Sequence, residues 1–557
     1  MKKTHADMGD FSLHLLPLAD MYLNTEIVLS GSVSNPKYTY ILSGIALLVL
    51  FIACINFVNL STGQSGMRAR EVGVRKIVGA TRAQLMNQFW GESILLSVFA
   101  LGFGVAFAEL LLPTFNGLLN QKLDTLYFAS TTTLMFLLVL ILFVGLAAGS
   151  LPALVLSRFH PVAVIKGRLR GSSMGWLRRG LVLVQFALSI FLVVSTVVMS
   201  GQLHYIRNKN LGFNPAQVIS VDLFRMGNEG KQKAFRNAVL QKPAVLSSTN
   251  ANLWWHLFFL TNHLGESDDG RIFYGRQYDI DYDFFKTFEM ELVAGRNFTP
   301  DRGSDLQSAM IVNEALVRQM GWDDPLGKRL PFEFQYIREH NGHNITIRNP
   351  EIIGVVKDFH LHALHHKIQP VVLLLNPNDE ERLAARIRTD QMTEVLSFMR
   401  SKWKEMEPNV PFSYSFIDEK IASQYRDDER WGQIIRYAAV FAIFVACLGV
   451  IGLTALAVAR HAKEIGIRKV FGASEVNLLG LFSREFLGLV VAANLIAWPV
   501  AYYAMDRWLQ NFAYRIELGV SGFLSGGLLI FLVVLLTVNL QVLKAVRANP
   551  VDALHDE

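Results

Sequence analysis

Cysteine is nearly absent: the 557 residues hold two, Cys54 and Cys447, both inside apolar runs. Residues 203–431, the polar middle of the chain, hold none, so no disulfide staples that region. A phosphate-binding loop is also missing. The Gly-Lys pairs at 230–231 and 327–328 lack the upstream glycine and continue into Gln232 and Arg329 rather than Ser or Thr. This excludes nucleotide binding of the phosphate-loop kind, and no cofactor is expected. No apolar run carries a Ser/His, paired-Asp or metal-ligand arrangement, which leaves an intramembrane enzyme without support. No chain of ionisable groups crosses the middle of a run, which argues against an ion-coupled carrier. Glu109 and Asp506 fall near run ends, where a carboxylate can reach water. Residues 1–37 are polar and mixed, and no cleavable signal peptide is expected in them.

What the chain has is apolar length. Hydrophobic residues make up 51% of it, and the mean hydropathy is +0.29, too high for an ordinary soluble protein. Seven mainly apolar stretches lie near 41–63, 92–115, 131–155, 180–201, 434–459, 486–508 and 523–546. Each matches the ~30 Å hydrocarbon core of a bilayer. The predicted class is a polytopic α-helical membrane protein with an inserted α+β extracytoplasmic domain.

The net charge of +6 is unevenly placed: residues 204–430 carry 28 Lys/Arg and 31 Asp/Glu, leaving the basic excess elsewhere. That excess sits in alternate loops. Residues 64–91 carry Arg68, Arg70, Arg75, Lys76 and Arg82; residues 156–179 carry six basic residues and no acid; residues 460–485 carry Arg460, Lys463, Arg468, Lys469 and Arg484. The intervening loops 116–130 and 509–522 hold only Lys122 and Arg515, each offset by an acid. The positive-inside rule places the basic loops and the C-terminus in the cytoplasm and residues 204–430 outside.

Within the external segment, short runs such as Val218–Leu223, Glu351–Val356, Val371–Leu375 and Phe412–Ile417 read as strands. Lys231–Gln241 and Thr393–Glu407 read as helices, giving an α+β domain of about 200 residues. From Glu419 to Ala459 there is no proline, and an unbroken helix into the sixth run is expected. The fourth run continues through His204 toward Gly212 and Pro215, which would stop it. Two such helices would make a stalk between domain and bilayer.

Residues 71–92 and 464–485 are two copies of one motif. Glu71-Val-Gly73-Val-Arg75-Lys76-Ile-Val-Gly79-Ala80 continues to Phe89 and Glu92; Glu464-Ile-Gly466-Ile-Arg468-Lys469-Val-Phe-Gly472-Ala473 continues to Phe482 and Glu485. Every matched pair is offset by 393 residues. Basic residues alone would suit anionic lipid headgroups. Lipid binding would need the basic residues but not the same glycines and terminal glutamates at one spacing in both copies, and Arg and Lys there can pair with carboxylates on a cytoplasmic partner. The glycines suit close backbone approach or a helix end.

Three other motifs have plainer readings. Leu524-Ser-Gly-Gly-Leu528 looks like the start of a nucleotide-cassette signature, but Gly522 and Gly526 read better as a small-residue packing face. His360, His362, His365 and His366 lack a completing ligand set and read as a polar turn after the Ile352–Val356 strand; no metal site is expected. The aromatic run Trp254–Leu260 reads as domain core, with a membrane- or ligand-facing lip as the alternative.

The paired motifs, with Arg158-Phe-His-Pro161-Val-Ala-Val-Ile-Lys-Gly167 and Arg547-Ala-Asn-Pro550-Val-Asp-Ala-Leu closing each half, resemble the FtsX/MacB-type permease subunits of ABC transporters. Tyr282-Asp-Phe-Phe-Lys-Thr-Phe, Gly295-Arg, Ile311-Val-Asn-Glu-Ala and Pro325-Leu-Gly-Lys are similar to that family's periplasmic core domain. The resemblance implies two FtsX-like transmembrane halves. Residues 38–179 would be the first half (three helices), 180–212 a transmembrane helix and stalk, 213–418 the periplasmic core domain, and 419–557 the stalk helix and second half (three helices). Residues 1–37 would be the remnant of an N-terminal periplasmic segment, and a complete relative is expected to have eight spans.

The resemblance also implies a permease driven by a separate cytoplasmic ABC ATPase subunit, in the bacterial inner membrane. A second permease copy or paralogue, membrane lipids and a periplasmic adaptor are the further partners implied, and no nucleic acid. ATPase coupling is assigned on this basis to Glu71, Gly73, Arg75, Lys76, Gly79, Glu464, Gly466, Arg468, Lys469 and Gly472. Exported peptides, antibiotics or lipid-linked substrates are implied as cargo; the alternative is a non-transporting transducer that regulates a periplasmic hydrolase or senses antimicrobial peptides.

Overall fold

A computed structural model describes residues 36–119, 130–157, 172–250, 262–266, 272–332, 334–340, 343–360, 364–377 and 382–546, without the side chains of some stretches inside helices, 64–70 and 460–466 among them. Residues 1–37 (but for the last two), the loop at 158–171, Trp254–Leu260 and His362 therefore lie outside the described residues. All seven apolar runs are helices. They lie in α1 (Pro36–Ile77), α2 (Arg82–Leu119), α3 (Thr131–Ser157) and α4 (Ser172–Asn208), then, beyond the external domain, in α11 (Arg426–Val470), α12 (Glu475–Leu509) and α13 (Val520–Val546). Backbone groups in hydrocarbon must bond within their own segment, so apolar runs of this length fold as helices.

These helices form two groups. α4, α11, α12 and α13 pack on one another around Phe186, Ile190, Val194, Val490, Ala493 and Val538, all less than a tenth exposed. α3 packs on α2 and α1, and α1 lies against α4 and α11 to join the groups. In α4, 61% of the apolar window is buried, against none of it in α2; α4 is central and α2 peripheral. Small residues set the close contacts. A Cβ on Gly526 would stand 2.8 Å from Val194 and one on Gly145 2.8 Å from Ile94. Gly526 thus serves as part of the packing face its spacing suggested.

Between α4 and α11 lies the α+β domain. Its strands are β1 (Val218–Asp222), β2 (Val245–Asn250), β3 (Asn262–Glu266), β4 (Ile272–Ile280), β5 (Leu292–Gly295), β6 (Ala309–Asn313), β7 (Gln335–His340), β8 (His343–Arg348), β9 (Glu351–Val356), β10 (Val371–Leu375), β11 (Arg382–Ile387) and β12 (Tyr414–Phe416). Its helices are α5 (Glu229–Leu240), α6 (Phe284–Phe288), α7 (Asp305–Ser308), α8 (Glu314–Met320), α9 (Met392–Met406) and α10 (Ile417–Ser423). One antiparallel sheet runs β12-β1-β11-β2 and is covered by α5 and α9 through Phe235, Val239, Met399 and Trp403. A mixed sheet runs β3-β4-β10-β6-β9-β5, with β4–β10 and β6–β9 parallel. Continuous apolar runs such as Val371–Leu375, fully buried, mark strands covered on both faces.

The motif residues of this domain build its turns. The Arg296 guanidinium grips both Asp305 carboxylate oxygens at 2.7 and 2.9 Å, and Asn313 caps α8 by accepting from the Leu316 amide at 3.1 Å.

The stalk differs from expectation at one point. Helix is interrupted at Gln424–Tyr425, so α10 and α11 are separate, and α11 then continues without a break to Val470. Tyr425 at the break is buried, and its hydroxyl accepts from the Leu364 amide at 2.8 Å. α11 is 45 residues long, about 68 Å at 1.5 Å per residue. α4 ends at Asn208, and Gly212 follows in a left-handed conformation with φ +81°. The Arg207 Nε donates to the Glu429 carboxylate at 3.0 Å, tying the two stalk helices together.

Residues 357–360 and 364–370 seat the domain on the membrane bundle, the latter opening with the turn expected after the Ile352–Val356 strand. His360 is buried with its ring edge-on to Tyr514 at 4.7 Å, and His365 Nε2 lies 3.1 Å from Asp428. Gln202, at the top of α4, holds the loop between α12 and α13 by donating to the Tyr514 carbonyl and accepting from the Ile516 amide, each at 2.9 Å.

Candidate functional site

The two copies of the repeated motif fold alike. Gly79 and Gly472 stand two residues beyond the ends of α1 and α11 with φ of +100° and +86°. The Gly79 amide donates to the Lys76 carbonyl at 3.1 Å and the Ala80 amide to that of Arg75 at 2.9 Å. In the second copy Gly472 donates to Lys469 at 3.0 Å and Ala473 to Arg468 at 2.9 Å. Both are Schellman turns, and the left-handed backbone is the reason glycine stands there.

The next helix is capped at once. Ser474 Oγ accepts from the Asn477 amide and Thr81 Oγ1 from the Gln84 amide, each at 3.3 Å. Gln84 Oε1 also accepts from the Thr81 amide at 2.9 Å, completing a capping box. Each motif is thus a helix–turn–helix hinge whose backbone groups are satisfied locally. Gly73 and Gly466 sit inside helices; the helix-end role belongs to Gly79 and Gly472 alone.

Side chains differ between the copies. Arg75 bonds Glu71 at 2.7 Å and Gln88 at 2.5 Å, and Gln88 donates to Glu92 at 3.1 Å, so a polar chain links α1 to α2. Leu481 occupies the place of Gln88 in the second copy, and Glu485, the counterpart of Glu92, instead binds Arg179 of α4 at 2.8 Å. These pairs are well exposed and contribute at most about 1 kcal/mol each. Burial first, then the charge of Arg82, pulls the Lys76 ammonium below its usual value. Val72, Leu85 and Phe89 close a small apolar core behind the first turn; Leu478, the counterpart of Leu85, joins the main core. Glu464 and Gly466 lie in α11 where side chains are outside the described residues.

The sequence reading missed the tips. Val78 is 83% exposed and its counterpart Phe471 86%, each just before the turn glycine. Val74 and Ile467, one helical turn earlier, are also exposed. Both pairs keep the 393-residue offset, so the signal was there in the repeat, though the eye goes to the charges. Apolar tips beside Arg and Lys at equivalent points of two turns are suited to docking.

The FtsX-like permease C-terminal family model matches residues 43–161 and 436–550, starting at the same 393-residue offset. Among curated proteins, a "Macrolide export ATP-binding/permease protein MacB" of Psychrobacter cryohalolentis is 31% identical over 131 residues, 23% of this chain and 19% of that protein. The one from Escherichia coli is 29% identical over 124 residues, 21% of this chain and 19% of its own length. The chain thus spans about a fifth of the length of the relatives it matches. The solved periplasmic region of MacB from Actinobacillus actinomycetemcomitans is 15% identical, with a TM-score of 0.27, over 39% of this chain and 96% of that one. An FtsX-like permease domain is thus matched in each half of this multi-pass chain, which is similar to the FtsX/MacB type of ABC-transporter permease.

Proposed function

We propose that the hinges at 71–92 and 464–485 are the two surfaces on which a separate cytoplasmic ATPase drives this permease, and that α4 and α11 carry the movement to the external domain. The observation that carries this reading is the recurrence of one turn, with its apolar tip, at the end of two equivalent membrane helices. Glu71, Arg75 and Lys76, with Arg468 and Lys469, precede Val78 and Phe471 in the chain and set the orientation of docking. Gly79 and Gly472 hold the tips in place. Because α11 is one helix from the second hinge to the stalk, a push at Phe471 is passed along its axis rather than absorbed in a loop.

The excess of Lys and Arg in alternate loops supports hinges on the cytoplasmic side and the α+β domain on the outer side of the bacterial inner membrane. The absence of an ionisable pathway across the bundle favours cargo handled by the external domain: peptides, antibiotics or lipid-linked molecules.

The test is the double variant Arg75→Glu/Arg468→Glu, alongside Val78→Asp/Phe471→Asp. Both should insert normally, lose co-purification of the ATPase about tenfold or more, and abolish substrate-stimulated ATP hydrolysis. Unchanged co-purification and hydrolysis in both would remove the hinges from the coupling path.

A further inference from the structure

The two membrane halves differ at one matched position in a way that opens a site. Trp90 on α2 lies against α3, where its indole N–H donates to Ser150 Oγ at 3.2 Å and a Cβ on Gly149 would stand 3.3 Å from its ring. Its counterpart on α12 is Ser483, which bonds Asn539 of α13 at 2.9 Å and leaves the indole's place empty. A groove of about 580 Å³, open to one side, lies between α12 and α13 with Ser483 on its lining. Gly480 and Gly488 on its wall have nothing within 4 Å of where a Cβ would stand. The wall is otherwise mostly apolar, with Leu535 opposite, and Val491 at its edge is 55% exposed. The groove opens on the flank of the helix pair.

Arg484 stands on the lining just before the apolar run at 486–508, at the level where headgroups meet hydrocarbon. It is exposed, and no carboxylate among the described residues pairs with it. An apolar lane open to the bilayer, ending at an uncompensated guanidinium, matches a molecule with an acyl chain and an anionic head. A protein helix would fit only if it carried a carboxylate at the level of Arg484, at the edge of the hydrocarbon. We propose that this groove is a binding site for one anionic phospholipid, its acyl chain along Gly480 and Gly488 and its phosphate on Arg484.

The test is native mass spectrometry of the full chain in detergent with added phosphatidylglycerol or phosphatidylcholine. The wild type should retain phosphatidylglycerol in preference. Ser483→Trp, which restores the arrangement of the first half, and Gly488→Leu, which fills open space, should each lower that retention about tenfold. Arg484→Gln, a surface change, should lower it about fivefold and leave phosphatidylcholine unaffected. Unchanged retention in Gly488→Leu and Arg484→Gln, or equal retention of the two lipids by the wild type, would overturn the proposal. So would loss of a dimer mass in the groove-filling variants without change in lipid, which would make the groove an interface between copies.

Discussion

At Gly79 and Gly472 a side chain would meet open space, so the cost of substitution lies wholly in the backbone, which is left-handed at both. Gly472→Ala should destabilise its hinge by about 1–2 kcal/mol and raise amide exchange at Ala473 and Asn477. Gly180, inside α4 and equally open, is the control: Gly180→Ala should be neutral or slightly stabilising. His360 gives a residue-scale pH effect. Burial, then the Lys209 charge, lowers its pKa to about 4 against a usual 6.5. A depressed imidazole favours the fold above pH 6.5, and that contribution falls away as pH drops toward 4. Thermal unfolding of the whole chain should therefore steepen below pH 6.5, and His360→Phe, which keeps the ring on Tyr514, should reduce the steepening.

Among the elements, the stalk exit depends on one guanidinium. Arg386 of β11 is buried and donates to the carbonyls of Asn214, Ala216 and Thr287 at 2.8–2.9 Å, pinning the chain that leaves α4 onto the domain. Burial lowers its pKa and Glu289 opposes that. Arg386→Met should cost about 3 kcal/mol by leaving buried carbonyls unpaired, and limited proteolysis should then cut near Pro215. Where the sequence analysis named an element, its boundaries were legible: α5, α9, β9 and β10 fall within two residues of where periodicity placed them. The break before α11 was not, because nothing local marks Gln424–Tyr425. The break coincides with a tertiary contact, that of Tyr425 with Leu364, which lies far away in sequence.

For the whole molecule, the joint between the halves is where α1 crosses α11. A Cβ on Gly63 would stand 2.6 Å from Leu456, its own counterpart in the repeat, and one on Gly452 2.1 Å from Leu60. Asn59 and Thr454 are fully buried there, and their side chains have no hydrogen-bond partner among the described residues. Such a crossing is held by fit rather than by strong polar bonds. Gly452→Leu should cost about 1–3 kcal/mol by overpacking, read as a lower midpoint of thermal unfolding in detergent, while external-domain variants leave this contact intact.

Apolar length and the 393-residue repeat made the membrane class, the seven helices and the hinge positions readable from the amino acids alone, because each is written in contiguous residues. The glycine, the alanine and the capping Ser or Thr of each hinge are local chemistry of the same kind. Tertiary structure alone decided which apolar hinge residues stay exposed, that the histidines seat the domain on Tyr514 and Asp428, and that a groove lined by Ser483 lies between α12 and α13. Those outcomes depend on the helix or loop that arrives opposite, and no local pattern in the chain specifies a neighbour fifty or more residues away.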